Sequence, residues 1–148
     1  MKRYVLILIV IFTFSCASDE KEKYEGVVGG LSKEADRACG MTSTQVGKVV
    51  TLSTKAHGVS GVAEIIDDCT IQFTNFNFDG NAIETAIYIW KNAKYDSESV
   101  ALTNDINGTT FTNASFKLTL PSTVNISDFD GITVWCIPAS LDMGSGQW

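Results

Sequence analysis

The stretch Asp-Phe-Asp-Gly-Ile-Thr-Val-Trp-Cys-Ile-Pro-Ala-Ser-Leu-Asp-Met-Gly, residues 128–144, decides the fold. Asp130-Gly131 is a turn signal, and the β-branched and aromatic run that follows it predicts a strand. Side chains alternate across a strand, so Cys136 faces one side and Trp135 the other. Both sides are largely apolar. The stretch therefore predicts a central strand, covered on both faces, with Cys136 deep in the fold.

The chain on either side of this strand has the same β character. Short apolar or alternating runs, separated by Gly and Asn turns, predict strands at Val49–Thr54, Val59–Ile66, Cys69–Phe76, Thr85–Trp90, Val100–Leu102, Thr109–Thr112 and Phe116–Leu120. Thr85–Trp90 is apolar on both faces, which predicts a second central strand. No long helical periodicity competes with this pattern. The predicted fold class is all-β, an antiparallel β-sandwich or partly closed barrel over residues 46–148.

The N-terminal segment has the features of a targeting signal. A basic start at Lys2 is followed by the apolar run Tyr4–Phe14, which is far shorter than the roughly 20 residues that span a bilayer. Residues 1–15 are therefore predicted to be a signal peptide. Ser15-Cys16 resembles a lipobox, and the charged residues 17–23 are similar to the acidic tract of surface-exposed lipoproteins of the Bacteroidetes group. This resemblance implies lipid on Cys16 and a bacterial outer-membrane location, surface-exposed or facing the periplasm.

The alternative is an ordinary signal peptide that contains Cys16, followed by a solvated charged tail. In either case the pattern stays weak as far as residue 45, so residues 16–45 are predicted to be a flexible acidic tether. About 30 flexible residues have a root-mean-square reach of roughly 30 Å. That is enough to hold a small domain clear of a membrane.

The overall charge limits the partners. The chain has a formal net charge of −6 and a pI near 4.6. A surface of that sign repels phosphate backbones, so nucleic acid is not an expected partner. Lipid on Cys16 would make the membrane a partner.

Most familiar catalytic and metal motifs are absent from the sequence. There is no Gly-rich phosphate loop and no Cys-x-x-Cys, and His57 is the only histidine. The cysteine spacing matches no usual zinc pattern, so no metal site is predicted. Asp128 and Asp130 resemble the start of a calcium loop, but no carboxylate lies at its far end, and a hairpin turn is predicted instead. No nucleophile–base pair is visible, which disfavours a hydrolase and makes an enzyme the less favoured class.

The four cysteines allow two disulfide pairings. If Cys16 carries lipid, three remain in an oxidising compartment, and one pair with one free thiol is the natural outcome. Cys69 and Cys136 lie on predicted strands and could pair across the core. Cys39 could instead reach Cys69 and pin the tether to the domain. A bridge of either size is worth roughly 3–5 kcal/mol in the chain-entropy model.

A set of short motifs along the chain resembles the DM-thirteen domain, the electron-transfer module that occurs beside DOMON domains and in bacterial lipoproteins. The resemblance covers residues 46–148. The motifs that carry it are His57-Gly58-Val59-Ser60-Gly61, Phe76-Asn77-Phe78-Asp79-Gly80, Leu118-Thr119-Leu120-Pro121, Ile132-Thr133-Val134-Trp135-Cys136 and Met143-Gly144. Met143 stands where the family usually has Phe. Cys39 and Cys69 are additional to the family's single cysteine.

The resemblance implies a β-sandwich-like domain with a redox role for Cys136, either as a bare thiol or as a ligand to a prosthetic group such as haem. It also implies that Cys136 is unpaired, which favours the Cys39–Cys69 bridge. Chemistry at Cys136 would need neighbours that bind or activate, and His57, Trp135 and Met143 are the candidates.

Two alternatives to a redox role stay open. The first is that Cys136 is a packed core cysteine beneath Trp135, since free cysteine is among the most buried residue types. The domain is also compatible with a non-enzymatic cell-surface module that binds a small molecule, a glycan or a protein. The candidate contacts of such a module are the aromatic residues Trp90, Tyr95 and Trp148.

Overall fold

Alternating apolar side chains build one curled antiparallel sheet from residues 39–148, the part of the chain that the computed structural model describes. The sheet forms a half-barrel with its core inside the curl. Its strands are β1 (Val49–Thr54), β2 (Ser60–Asp67), β3 (Thr70–Phe78), β4 (Thr85–Trp90), β5 (Val100–Ala101), β6 (Phe111–Thr119), β7 (Gly131–Cys136) and β8 (Leu141–Gln147). They are hydrogen-bonded in the order β5-β4-β7-β8-β1-β2-β3-β6. The prediction of an all-β, partly closed barrel is confirmed.

Both predicted central strands lie inside the sheet. Strand β7 is hydrogen-bonded to β4 on one side and β8 on the other, and all six residues of β4 are buried. Ile132, Val134 and Cys136 from one face of β7 belong to the hydrophobic core cluster. The opposite face carries Thr133 and Trp135, which are covered by other residues.

One predicted division of the chain is wrong. Thr109–Thr112 and Phe116–Leu120 were expected to be separate strands, but β6 runs through the gap between them. Asn113 lies within β6 at a φ of 48°, and the β3–β6 register shifts on both sides of Phe76. A bulge of this kind absorbs extra residues without ending the ladder.

Strand β8 was not predicted, because its sequence has two glycines and little β propensity. The glycines are needed for close packing. A Cβ on Gly144 would collide with the Val59 side chain, and one on Gly146 would collide with that of Val50. Because these two positions carry no side chain, β8 can pair with β7 on one edge and with β1 on the other.

The connection from β5 to β6 links the two ends of the curled sheet. The Ile106 amide donates to the carbonyl oxygen of Thr85, the first residue of β4, at 2.7 Å. The Gly108 amide donates to the carbonyl oxygen of Gly80, which follows β3, at 2.8 Å. These bonds satisfy backbone groups that the open sides of the half-barrel would otherwise leave unpaired.

Residues 39–45, the last part of the predicted tether, are joined to the sheet by a disulfide and by hydrogen bonds. A disulfide joins Cys39 to Cys69, the pairing that the family resemblance favoured. The Asp68 carboxylate accepts hydrogen bonds from the Thr42 and Ser43 amides at 2.8–3.1 Å. The Gln45 side chain donates to the Phe129 carbonyl oxygen at 3.1 Å. Residues 39–45 thus belong to the folded unit.

The signal peptide, Cys16 and the first part of the predicted tether lie outside the described residues. Within residues 39–148, no helix has the length and apolar character needed to cross a bilayer.

Candidate functional site

Cys136 is a buried thiol at the end of a central strand. Only 4% of the residue is exposed, and its Sγ donates a hydrogen bond to the Ile83 carbonyl oxygen at 3.0 Å. Its register partners are Thr85 on β4 and Leu141 on β8. It forms no disulfide. The turn after it, residues 137–140, is exposed, so the sulfur lies at the rim of the core.

Three exposed apolar residues are backbone neighbours of this thiol. Ile83, whose carbonyl accepts from the sulfur, is 66% exposed. Ile137, the next residue, and Leu141, the register partner on β8, are also exposed. Glu84, which follows Ile83, has a φ of 30°, a conformation that L-residues rarely adopt. The strand end with the free thiol is thus covered by a strained loop and bordered by apolar surface.

The opposite face of β7 carries an aromatic stack. The Trp135 ring stacks on Tyr95, with 4.1 Å between ring centroids and 14° between planes. Tyr95 in turn meets Tyr88 edge to face at 5.0 Å. Burial raises the pKa of Tyr88 to about 12, and Tyr95 adds to the shift through its charge and a hydrogen bond. Tyr88 is therefore a neutral phenol at ordinary pH.

A polar cluster lies beside the aromatic stack and is centred on Asp142. One carboxylate oxygen accepts from the Thr133 hydroxyl and the Gly144 amide, each at 3.0 Å. The other accepts from the Ser145 hydroxyl at 2.7 Å and from the Lys55 ammonium, with which it forms an ion pair. Lys55 also donates to the Ser145 Oγ at 2.9 Å. The carboxylate of Asp142 is thereby saturated by the other members of the cluster.

The stack and the cluster together border an open groove of about 410 Å³. Its aromatic lining is Trp90, Tyr95 and Trp135, and its charged lining is Lys55, Lys94 and Asp142. A concave site with aromatic walls and a few placed polar groups is typical of small-molecule binding. The polar members of the groove were missed in the sequence, because Asp142 and Ser145 lie in the unpredicted strand β8.

His57 occupies the turn between β1 and β2. His57 and Gly58 have φ values of 53° and 65°, and the Val59 amide donates to the Ala56 carbonyl oxygen at 3.1 Å. Two positive φ values fit the tight turn that matches the twist of a hairpin. The His57 Nδ1 lies 3.2 Å from the Asp79 carboxylate. This imidazole is engaged by Asp79.

Met143 lies at the bulge of β8 and is fully buried within the core cluster. Its carbonyl oxygen accepts from the amides of Lys55 and Ala56 at 3.0 and 2.9 Å. The four residues singled out in the sequence therefore lie in three environments. Cys136 and Met143 belong to the core, Trp135 borders the groove, and His57 lies in a turn.

This arrangement does not fit a haem held by Cys136. The thiol faces the core and donates to a carbonyl oxygen, whereas the groove lies on the Trp135 side of β7. Met143 is enclosed by the core, and the His57 ring faces Asp79. An axial ligand needs an open side toward the macrocycle, and the buried Cys136 and Met143 side chains have none.

The two carboxylates considered for calcium binding lie in the turn structure before β7. Asp130 accepts from the Ala93 amide at 3.2 Å, and Ile126–Asp128 form a single 3-10 turn. The donor atoms of Cys39, Asp67 and Cys69 lie within 4.8 Å of one another, but the disulfide occupies both sulfurs. A metal ion could use them only after reduction.

Comparison with known proteins places the described fold in a family. The model of the family described as "Electron transfer DM13" matches residues 51–147. Two forms of Protein Skeletor from Drosophila melanogaster, isoforms B/C and isoforms D/E, are each 29% identical to the chain over 120 residues. That alignment covers 77% of this chain, but only 15% and 8% of the two relatives. No solved structure matches the chain significantly. From the family match over most of its length, the chain belongs to the electron transfer DM13 family.

Proposed function

We propose that this protein is a membrane-anchored redox module in which Cys136 is the reactive residue. The observation that carries the proposal is an unbridged thiol at the rim of the core whose backbone neighbours Ile83, Ile137 and Leu141 are exposed. Exposed apolar residues near a reactive atom suit the docking of another protein. Membership of an electron-transfer family supports the same role.

The chemistry that suits a lone thiol is exchange with a disulfide of a partner protein. Cys136 gives up its proton and its sulfur attacks one sulfur of the partner disulfide. A new S–S bond forms, the partner's S–S bond breaks, and the departing sulfur takes up a proton. The Cys136 sulfur is thereby oxidised and one partner sulfur is reduced. Attack by a second thiol on the mixed disulfide restores Cys136.

Access to the sulfur needs a local opening. The hydrogen bond to Ile83 must break, and the covering loop must move away from the end of β7. Loops with strained backbone and exposed side chains open at lower cost than core strands. The strained Glu84 next to Ile83 makes this loop the natural point of opening. The thiol is thus protected until a partner docks.

The expected result is that a small aromatic disulfide, 2,2′-dithiodipyridine, modifies Cys136 in the native full-length chain. The reaction should be much slower than with a free thiol, because the sulfur is buried, and it should disappear from the Cys136→Ala variant. Release of pyridinethione gives the rate, and mass mapping of the Cys136 peptide gives the site.

Low urea distinguishes local opening from global unfolding. Below the unfolding transition, the rate stays nearly constant if only the loop opens, and rises steeply with urea if the whole domain must unfold. A Cys136 that reacts only through global unfolding would refute the redox proposal and leave it as a core cysteine.

The location is part of the same proposal. We place lipid on Cys16 and the domain at the bacterial outer membrane, surface-exposed or facing the periplasm, with the membrane and a redox protein as partners and without nucleic acid. The Cys39–Cys69 disulfide supports an oxidising compartment outside the cytoplasm. The apolar run before Cys16 supports export.

Replacing Cys16 by Ser should abolish incorporation of labelled palmitate in the producing bacterium and release the chain from the membrane fraction. The Cys136→Ser chain is the matched control and should remain labelled. Autoradiography and membrane fractionation give the result. Equal labelling of the wild-type and Cys16→Ser chains would rule out this anchor.

A second candidate function is a non-enzymatic binding domain at the cell surface. The groove favours it, because Trp90 and Tyr95, two of the three aromatic residues suggested by the sequence, line it together with Trp135. Trp148 has a different role. Its indole N–H donates to the Phe129 carbonyl oxygen at 3.1 Å, and its ring packs against the core.

A further inference from the structure

We infer that the groove beside β7 binds a planar aromatic ring that carries an anionic group, such as an aromatic carboxylate or sulfonate. This inference rests on the second candidate function, since it names the ligand class of that site. It requires no reaction at Cys136, which faces the other side of the strand.

The walls of the groove suit a flat ring. Tyr95 and Trp135 are stacked nearly parallel and only partly buried, so they offer an extended π surface to the groove. Aromatic rings prefer offset-stacked or edge-to-face contacts with such surfaces. The volume of about 410 Å³ falls in the range of small-molecule sites and could hold one or two fused rings.

The Asp142 cluster, the main polar part of the groove, argues against a sugar. Sugar recognition needs side chains whose donors and acceptors are free to pair with several hydroxyl groups. Here the Asp142 carboxylate already accepts four hydrogen bonds. The Ser145 hydroxyl both donates to Asp142 and accepts from Lys55. The cluster therefore has little capacity left for neutral hydroxyl groups.

The charge balance of the groove favours an anion. Two ammonium groups, on Lys55 and Lys94, face one carboxylate, although the whole chain is acidic. The Lys94 side chain is mostly exposed and has only a long 3.6 Å contact with Asp96, so it can turn toward a ligand. The lining of the groove thus carries one more cation than anion, and Lys94 can exchange its Asp96 partner for a ligand anion.

Calorimetric titration of the full-length chain with three probes tests the inference. Naphthalene-2-sulfonate has the ring and the anion, naphthalene-2-methanol has the ring alone, and cellotriose is a sugar. We expect the sulfonate to bind with one site per chain, and the neutral ring to bind at least fivefold more weakly. Binding of the sulfonate should weaken with added salt, since exposed charges are screened.

Matched variants locate the site. Tyr95→Leu should weaken sulfonate binding at least tenfold, and Lys94→Gln should weaken it severalfold without affecting the neutral ring. Two control variants should leave sulfonate binding unchanged. They are Lys48→Gln, which changes an exposed lysine outside the groove, and Trp148→Leu. Lys94→Gln alters only an exposed side chain, so its test does not depend on the stability of the fold.

Two results would overturn the inference. Sulfonate binding that survives Tyr95→Leu, or no binding of the sulfonate at all, excludes the groove as a site for aromatic anions. If cellotriose then binds in a Tyr95-dependent manner, the second candidate function stands with a different ligand class. If no probe binds in a Tyr95-dependent manner, both the inference and the second candidate function are refuted for this groove.

Discussion

Breaking the Cys39–Cys69 bond is expected to lower the free energy of unfolding by about 3.5 kcal/mol. The bond joins residues 30 positions apart in the sequence, and the chain-entropy model gives that magnitude for a closed loop of this size. The closed segment contains the whole of β1 and β2. Urea unfolding of the Cys39→Ser variant, compared with the oxidised wild type, measures the loss.

Reduction provides an independent control. Dithiothreitol should shift the wild-type unfolding midpoint to that of Cys39→Ser, and should leave the Cys39→Ser midpoint where it is. Cys39 is exposed, so the serine itself creates no cavity. Equal midpoints for the oxidised wild type and Cys39→Ser would show that the bridge contributes nothing to stability.

Replacing Phe76 by Ala is expected to cost about 4 kcal/mol, since Phe-to-Ala changes in cores combine lost burial with a cavity. Phe76 is fully buried at the bulge of β3. Its ring meets those of Phe73, Phe111 and Phe116 edge to face, with centroids 5.2–5.6 Å apart. The loss is a large share of the 5–15 kcal/mol that stabilises a typical domain.

Two further variants serve as controls for the stability loss in Phe76→Ala. Val49→Ala, at an exposed position of β1, should change the unfolding free energy by less than about 0.5 kcal/mol. Phe76→Leu, which keeps most of the apolar volume, should lose much less than Phe76→Ala. A Phe76→Ala chain that is as stable as the Val49→Ala chain would contradict a close-packed aromatic core around the bulge.

The success of the sequence analysis depended on how each strand is stabilised. Strands β4 and β7 were predictable because they are buried on both faces, and such strands consist of continuous β-branched and aromatic residues. Strand β8 was not, because Gly144 and Gly146 are required by close neighbours on other strands. Local propensity does not contain that information.

The same limit applies to the candidate site. The burial of Cys136 could be predicted from the alternation of side chains along one strand. The same alternation predicted that Trp135 lies on the opposite face. The partners of Asp142 could not be predicted, because Lys55 reaches it from the turn after β1 and Thr133 reaches it from β7. Tyr95 stacks on Trp135 from a loop 40 positions earlier. Contacts across strands of unknown order cannot be inferred from spacing.

The Cys39–Cys69 bridge also determines how the domain would respond to force. A pull on the chain from its N-terminal side reaches the fold at Cys39 and passes through the covalent bond to Cys69, at the start of β3. Residues 40–68, with β1 and β2, then carry no tension. Traction on this end would be borne by β3, which is hydrogen-bonded along both edges, so the domain would resist unzipping for as long as the bridge stays oxidised.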